Sequence, residues 1–366
     1  MGGEDIARKA SPRSAKPSPP KLTAFLYDAE GRDREVAFTP QALRGLNKRA
    51  LIWIDLAART EPELRAVAAI LDLTEASTAD LLRPRPRLRL DNYGGYFQFG
   101  VYTTPGAILR PSAAPGDGES PARLSEAALD QAGRDSEISQ LDFLVGDRWV
   151  LTVHDRDLAF LRGFRDQDKA DTMIGVLSPQ SFVASLIDWH LETYFEEVAL
   201  IESIIDRLDE RVLADPSSKS LLPRMLAIRR RIARLRRLLA AQRPVLYGLG
   251  RPDVALLAPT EAAPPFEGVA GRFDRAVDEL EHTRELVLGS FELLTSRMSQ
   301  ETNDLVKALT FVTVIIGATA AVAGLFGMNF DPPFFDTGSA GFFAVTGGLL
   351  LLAAAAAWVA RRKGWI

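Results

Sequence analysis

Gly327, Met328 and Asn329 end a long apolar run, and the side chain of Asn329 is a candidate cation ligand. Its amide oxygen is a neutral, hard acceptor of the kind that magnesium binds in proteins. Asp331 and Asp336 follow closely, and their charge would concentrate cations nearby. Glycine and asparagine also favour helix C-caps, so a structural role for this motif is compatible with the chemical one.

The rest of the composition excludes several chemistries. The chain has no cysteine, which rules out disulfides, thiolate metal sites and thiol catalysis. Its histidines, His154, His190 and His282, are too far apart to predict a zinc site, and no nucleophile–base pair indicates an enzyme. We therefore expect no tightly bound cofactor. A net charge of −4 gives no overall basic field for nucleic acid.

Two apolar runs must position the motif. Residues 308–326 and 338–360 carry no charge, and each has about the 20 residues that a helix needs to cross a bilayer. A buried core helix can be as apolar, but two in succession predict a membrane hairpin. Lys307 before the first run and Arg361, Arg362 and Lys363 after the second contrast with an acidic loop between them. This charge asymmetry predicts an external loop and cytoplasmic termini in the inner (plasma) membrane.

Residues 22–165 predict a cytoplasmic α/β domain. Strands are predicted at residues 23–28, 50–56 and 92–103 and in a hairpin over 138–155, and a helix is predicted to begin at Thr60. Residues 1–21 are rich in Lys, Arg, Pro and Ser, which predicts a disordered tail and not a signal peptide. Residues 104–135 predict a flexible insertion.

Three long helical stretches follow. Ser178 is a predicted N-cap that opens a cytoplasmic helical hairpin over residues 178–265, with an acidic first helix and an arginine-rich second helix. The two helices could neutralise each other, or the arginines could bind nucleic acid or anionic lipid. The third stretch runs without proline from about residue 269 to 327, roughly 90 Å as a helix, which exceeds any bilayer.

We assign a stalk to residues 266–307, membrane helices to 308–329 and 339–360, the external loop to 330–338 and a tail to 361–366.

The C-terminal third resembles the CorA family of divalent cation transporters. The resemblance is carried by Asn303, Lys307, Leu309, Thr310 and residues 322–330, which place the family signature Gly-Met-Asn at the outer end of the first membrane helix. A lone tripeptide is weak evidence, but the stalk before it and the single membrane helix after it make the signal specific. Trp53-Ile54-Asp55-Leu56, Ala79-Asp80 and Arg85-Pro86-Arg87 are similar to further family stretches in the same order, so the resemblance covers roughly residues 23–366.

The resemblance implies a funnel-shaped homopentamer whose five first membrane helices line a pore inside a ring of second helices. Five copies of Asn329 would hold a hydrated divalent cation through its waters, since magnesium dehydrates reluctantly. Val306 and Leu309 could form a hydrophobic gate, with Glu292 in an acidic inner cavity. A face of small residues also suits close helix packing. Family matching and helical spacing place these residues along the pore: Asn303, Val306, Leu309, Thr310, Thr313, Gly317, Ala320, Gly324, Gly327, Met328 and Asn329.

This sequence departs from the family pattern at several positions. A usual proline of the first membrane helix is absent around Ala318, and Gly317 stands where many relatives have a bulky gate residue. The family's cytosolic magnesium-sensing site, formed by acidic residues between subunits, is matched by Asp80 on one side. Its stalk side falls at Gly268, beside Glu267.

The leading hypothesis is uptake of a divalent cation, Mg²⁺ first and Co²⁺ or Ni²⁺ next, with the cation as substrate and as a gating ligand. The alternative is a ZntB-type zinc transporter coupled to protons, which the arginine-rich helix resembles. A further alternative is a membrane-anchored sensor or scaffold without transport. The expected partners are the lipid bilayer and further copies of the chain, and not nucleic acid.

Overall fold

The computed structural model describes residues 22–83, 87–103, 139–167, 172–251, 266–327 and 338–362. The predicted tail at 1–21, the insertion at 104–135, residues 330–337 of the external loop and residues 363–366 lie outside the described residues. The chain forms two compact units: Met1–Glu202 with Ala227–Arg284, and Ser203–Leu226 with Glu285–Ile366.

The first unit is built on a seven-stranded sheet with the order β2-β1-β3-β7-β6-β5-β4. Strands β3 and β7 pair in parallel, and every other neighbouring pair is antiparallel. All seven residues of β3 are buried, which accounts for its nearly continuous apolar sequence. The strands are β1 (Leu22–Asp28), β2 (Arg34–Glu35), β3 (Ala50–Leu56), β4 (Leu90–Asn92), β5 (Phe97–Thr103), β6 (Ser139–Val145) and β7 (Trp149–Val153).

Short helices cover this sheet. They are α1 (Pro40–Arg44), α2 (Glu61–Leu71), α3 (Glu75–Leu82) and α4 (Ala159–Gln167). Leu64, Val67 and Leu71 of α2 belong to the same buried apolar cluster as Ile52 and Ile54 of β3. Helix α2 starts where the sequence predicts, but the hydroxyl of Thr60 makes no capping hydrogen bond.

The strand predicted over residues 92–103 is wrong in one respect, because the structure has two strands there. Strand β4 ends at Asn92, and its side-chain oxygen accepts a hydrogen bond of 2.8 Å from the amide of Gly94. Gly94 has φ +83°, a left-handed conformation that glycine adopts without strain. The chain therefore turns at Gly94 and begins β5 at Phe97. The hairpin predicted over 138–155 is confirmed by β6 and β7.

Four long helices follow: α5 (Pro179–Ala214), α6 (Leu221–Gly248), α7 (Glu267–Phe326) and α8 (Gly338–Arg362). The oxygen of Ser178 accepts from the amide of Ser181 at 3.0 Å, as expected of an N-cap. Helix α7 has 60 residues and confirms the uninterrupted helix predicted to residue 327. Helices α5, α6 and α7 each contribute to both compact units. The units therefore do not follow the predicted boundaries of the helical hairpin and the stalk. Those boundaries stay predictions.

The opposite charges of α5 and α6 meet at Arg231 and Glu197, which form a largely buried ion pair. Other α6 arginines pair with α7 instead: Arg236 with Glu281 at 2.7 Å, and Arg243 with Asp274 at 3.4 Å. The predicted neutralisation is therefore shared among three helices.

Candidate pore and cation-binding site

Helices α7 and α8 are each long and apolar enough to cross a membrane. The most apolar stretch of each helix is not buried within the chain. The candidate spans, Glu267–Leu325 and Ser339–Arg362, contain all but one residue of each apolar run predicted from the sequence. A helix that exposes such a surface needs an apolar surrounding.

The predicted pore residues of α7 are all exposed in the single chain. They are Asn303, Val306, Leu309, Thr310, Thr313, Gly317, Ala320 and Gly324. A different stripe of the same helix is half-buried, and it consists of Ala308, Phe311, Ile315, Thr319 and Val322. At about 100° per residue, the two sets point to opposite sides of the helix. The chain thus covers the back of α7 and leaves the predicted pore face open.

Two threonines give this face a mildly polar character. The hydroxyls of Thr310 and Thr313 donate to the carbonyl oxygens of Val306 and Leu309, each at 2.8 Å. Their protons are used within the helix, so the hydroxyl oxygens keep lone pairs for water or a cation. Glu292 is also exposed, on the same side of the helix as Asn303.

Gly317 and Gly324 have open space around them, whereas the amide of Gly327 is hydrogen-bonded at the end of the helix. A Cβ added at Gly317 or Gly324 would meet nothing within 4 Å, so nothing in the chain itself requires glycine there. The Gly327 amide donates to the carbonyl oxygens of Ala323 at 3.0 Å and Gly324 at 3.2 Å. Gly94 is the only described glycine with a positive φ, so Gly327 does not make the left-handed turn that its type allows.

The remaining predicted filter residues, Met328 and Asn329, lie outside the described residues. Asp331 and Asp336, which are predicted to attract cations outside the membrane, lie outside them as well. For the regulatory site, the structure places Asp80 on α3 beside a small cavity of ≈ 30 Å³. Glu267 is exposed at the first residue of α7. Among the described residues, no group of three His, Asp or Glu side chains could hold a metal ion.

Sequence reasoning missed a buried polar centre around Asp55. This carboxylate, 7% exposed, accepts from the Thr152 hydroxyl at 2.6 Å, from His154 Nε2 at 3.1 Å and from Arg165 at 3.2 Å. Burial opposes its ionisation, but the hydrogen bonds and charges of these partners prevail and lower the pKa of Asp55. The only sequence signal for this centre was Asp55 itself, a carboxylate within the otherwise apolar strand β3.

The other buried histidine, His190, is a core residue of the first unit. Burial lowers the pKa of His190 to about 4, against a smaller opposing effect of its hydrogen bond with Gln242. It is therefore neutral at physiological pH, and its Nε2 lies 3.2 Å from the Gln242 oxygen.

An α/β unit followed by two helices with unburied apolar stretches, one of them 60 residues long, defines a two-span membrane protein, and the open face of α7 suits transport. Residues 110–362 match the family model described as CorA-like Mg²⁺ transporter protein. The chain belongs to this family, which confirms the resemblance seen in the sequence.

A named relative supports the family assignment. The "Cobalt/magnesium transport protein CorA" of Thermotoga maritima is 34% identical over 147 residues, which are 40% of this chain and 41% of that protein. This alignment therefore spans about two-fifths of the relative's length.

Solved structures show the same fold. The CorA magnesium transporter of Methanocaldococcus jannaschii covers 94% of this chain and 98% of its own, with TM-score 0.66 and 16% identity. The ZntB cytoplasmic domain of Vibrio parahaemolyticus covers 77% of this chain and all of its own, with TM-score 0.53 and 11% identity. At these identities the likeness establishes architecture alone.

Proposed function

We propose that this protein takes up a divalent cation, Mg²⁺ first and Co²⁺ or Ni²⁺ next, through a homopentameric pore in the inner membrane. Both termini lie in the cytoplasm. Asn329 forms the outer filter, and Val306 and Leu309 form a hydrophobic gate. A single hairpin cannot enclose a pore, so a ring of copies is required, and closed rings are the usual symmetric solution.

One observation carries the proposal: the face of α7 opposite its half-buried stripe is open, small and mildly polar. A helix that met only lipid would have no need of Gly317 and Gly324, because each glycine costs about 1 kcal/mol relative to alanine in a helix. An open glycine is useful where a pore or another helix lies against it.

The chemistry of the filter follows from the ion. Mg²⁺ holds its waters tightly, so a site that binds the hydrated ion avoids the cost of stripping it. Amide oxygens of Asn329 from several copies accept hydrogen bonds from those waters. Asp331 and Asp336 raise the local cation concentration before entry.

Uptake into proteoliposomes tests this function directly. Purified protein is assayed with Mg²⁺, Co²⁺, Ni²⁺ and Zn²⁺ under an inside-negative potential, with and without a pH gradient. We expect Mg²⁺ flux that needs no pH gradient, and we expect Asn329→Ala to abolish selectivity while assembly persists. The matched control is Thr337→Ala, in the same loop, which should transport normally.

A second candidate is a ZntB-type zinc transporter coupled to protons. The observation in its favour is the arginine-rich α6, which carries eight arginines and no acidic residue. Zinc flux driven by a pH gradient, without Mg²⁺ flux, would establish this candidate against the first. Intact protein without any metal flux would instead indicate a sensor or scaffold.

A further inference from the structure

The last two turns of α8 carry an aromatic ring and two guanidinium groups on one face. The guanidinium of Arg362 lies over the ring of Trp358, with 5.1 Å between its central carbon and the ring centroid. Arg361 is exposed beside them, and Trp358 is 61% exposed. At about 100° per residue, the three side chains fall within roughly 100° of one another around the helix. We call Trp358, Arg361 and Arg362 the terminal cluster.

The terminal cluster lies on the outer face of α8. The opposite face is marked by a row of half-buried residues, spaced three or four apart, that ends at the fully buried Ala360: Gly341, Val345, Leu349, Ala353, Ala356 and Ala360. On the same measure of about 100° per residue, this row lies roughly 170° from the terminal cluster. The cluster therefore points away from the side of α8 that packs against the chain.

The position of the cluster along α8 places it at the surface of the bilayer. The uncharged run ends at residue 360, directly before Arg361. Arg361 and Arg362 therefore lie at the level of the lipid phosphates, because charge is costly in the hydrocarbon core. Trp358 lies one turn deeper, at the boundary that indole side chains favour. Leu351, 73% exposed, lies two further turns into the bilayer on the same face.

The positive charge of the cluster is not offset within the described part of the chain. Helix α8 contains no acidic residue, and neither arginine forms an ion pair with any described residue. By contrast, Lys307, the basic residue before the first span, pairs with Asp304 at 2.8 Å. The cluster thus combines unpaired charge, a stacked indole and an apolar surface, in the order in which a lipid molecule has its phosphate, its glycerol and its acyl chains.

We propose that the terminal cluster binds the phosphate of an anionic glycerophospholipid. Each planar guanidinium donates paired hydrogen bonds to phosphate oxygens. Stacking on Trp358 holds Arg362 at the level of the headgroups, and an acyl chain lies along the face below, past Leu351. A zwitterionic lipid offsets its own phosphate with an ammonium group, so the anionic lipid binds more tightly. This inference requires only that α8 crosses the bilayer, and it does not depend on the ion, on Asn329 or on the number of copies.

Native mass spectrometry of the full-length protein tests the site. Delipidated protein in mild detergent is titrated with phosphatidylglycerol or with phosphatidylcholine of the same acyl chains, and bound lipids are counted at each concentration. We expect tighter binding of phosphatidylglycerol. Arg361→Gln together with Arg362→Gln should weaken that binding roughly 25-fold, at about fivefold for each arginine. Binding of phosphatidylcholine should stay unchanged, which also shows that the variant is intact.

The matched control removes the same two charges elsewhere in the chain. Arg229 and Arg230 are exposed on α6, and Arg229→Gln together with Arg230→Gln should keep the wild-type preference for phosphatidylglycerol. A preference that survives in the α8 variant, or that falls equally in both double variants, would overturn the inference.

Two further measurements distinguish a lipid site from a site for soluble phosphate. Trp358→Leu keeps an apolar side chain but removes the stacked ring, and it should weaken phosphatidylglycerol binding about two- to fivefold. Soluble glycerol phosphate carries the same phosphate without acyl chains and should not displace the bound lipid. Displacement would show that the phosphate alone is recognised, and the lipid assignment would then be wrong.

The outcome is separable from that of the proposed function. A protein that prefers phosphatidylglycerol through the terminal cluster but transports no cation would leave this inference standing and remove the transport proposal. Selective cation uptake by a protein that binds both lipids equally would remove this inference alone.

Discussion

Asp55 joins three elements of the first unit through a single carboxylate. Its partners are Thr152 on β7, Arg165 on α4 and His154 just after β7. Removing one member of a buried charged group leaves the others unpaired and costs about 3–5 kcal/mol. We expect Asp55→Ala to lower the free energy of unfolding by about this amount, measured by urea unfolding followed through tryptophan fluorescence. Asp147→Ala, in an exposed turn, is the matched control and should change it little.

The lowered pKa of Asp55 gives this contribution a pH dependence. The carboxyl binds its proton less tightly in the folded chain than in the unfolded chain, where its pKa has the ordinary value of about 3.8. Its contribution is therefore present above that value and is lost as the pH falls through the lower folded pKa. The stability difference between wild type and Asp55→Asn should shrink in acid. A difference that stays constant with pH would contradict the charged centre.

At the scale of elements, α5 and α6 are joined by the ion pair of Glu197 and Arg231, whose side chains are 1% and 14% exposed. Arg231→Ala leaves a buried carboxylate unpaired, and we expect a loss of about 3–5 kcal/mol in unfolding free energy. Replacing both residues by methionine should recover most of it, since apolar packing substitutes well for buried pairs.

The matched control for this pair is Arg236→Ala. Arg236 and Glu281 are 57% and 35% exposed, so their pair contributes about 0–1 kcal/mol. Equal losses for Arg231→Ala and Arg236→Ala would show that burial does not set the strength of these pairs.

Gly317 provides a prediction for the first span. A Cβ at this position meets no atom of the chain within 4 Å, so Gly317→Leu should leave the protomer folded. Because Gly317 lies on the predicted pore face, we expect the substitution to lower cation flux at least tenfold in proteoliposomes. Gly348→Leu on α8 is equally open and lies off the pore face, so its flux should match wild type. Equal flux in both variants would place Gly317 outside the pore.

Elements with a strong local pattern were predictable from the sequence. The uncharged runs, the proline-free stretch before Gly327 and the cap at Ser178 led to α5, α7 and α8 as they are found. Contacts between distant residues were not predictable, because the partners of Asp55 are about 100 positions away and carry no local signature. The arginines of α6 were matched to α5 alone for the same reason, since their pairing with α7 depends on how three helices pack.

For the whole molecule, the orientation in the membrane can be tested with added cysteines. The loop between the spans carries Asp331 and Asp336, and basic residues flank the other ends, so the loop should face outside. A membrane-impermeant maleimide applied to intact cells should label Asp336→Cys and should not label Lys363→Cys until the membrane is permeabilised. Since the chain has no other cysteine, labelling of both variants in intact cells would contradict this orientation.

Strands β5 and β6 pair so that Thr103 lies directly opposite Ser139. The chain therefore leaves the sheet and returns to it at neighbouring points, whatever lies between. Loop-closure entropy rises only slowly with loop length, so a segment inserted there costs the fold little. This junction is accordingly a suitable place to splice in a fluorescent protein, whose signal would then follow the first unit while the ion flux is recorded.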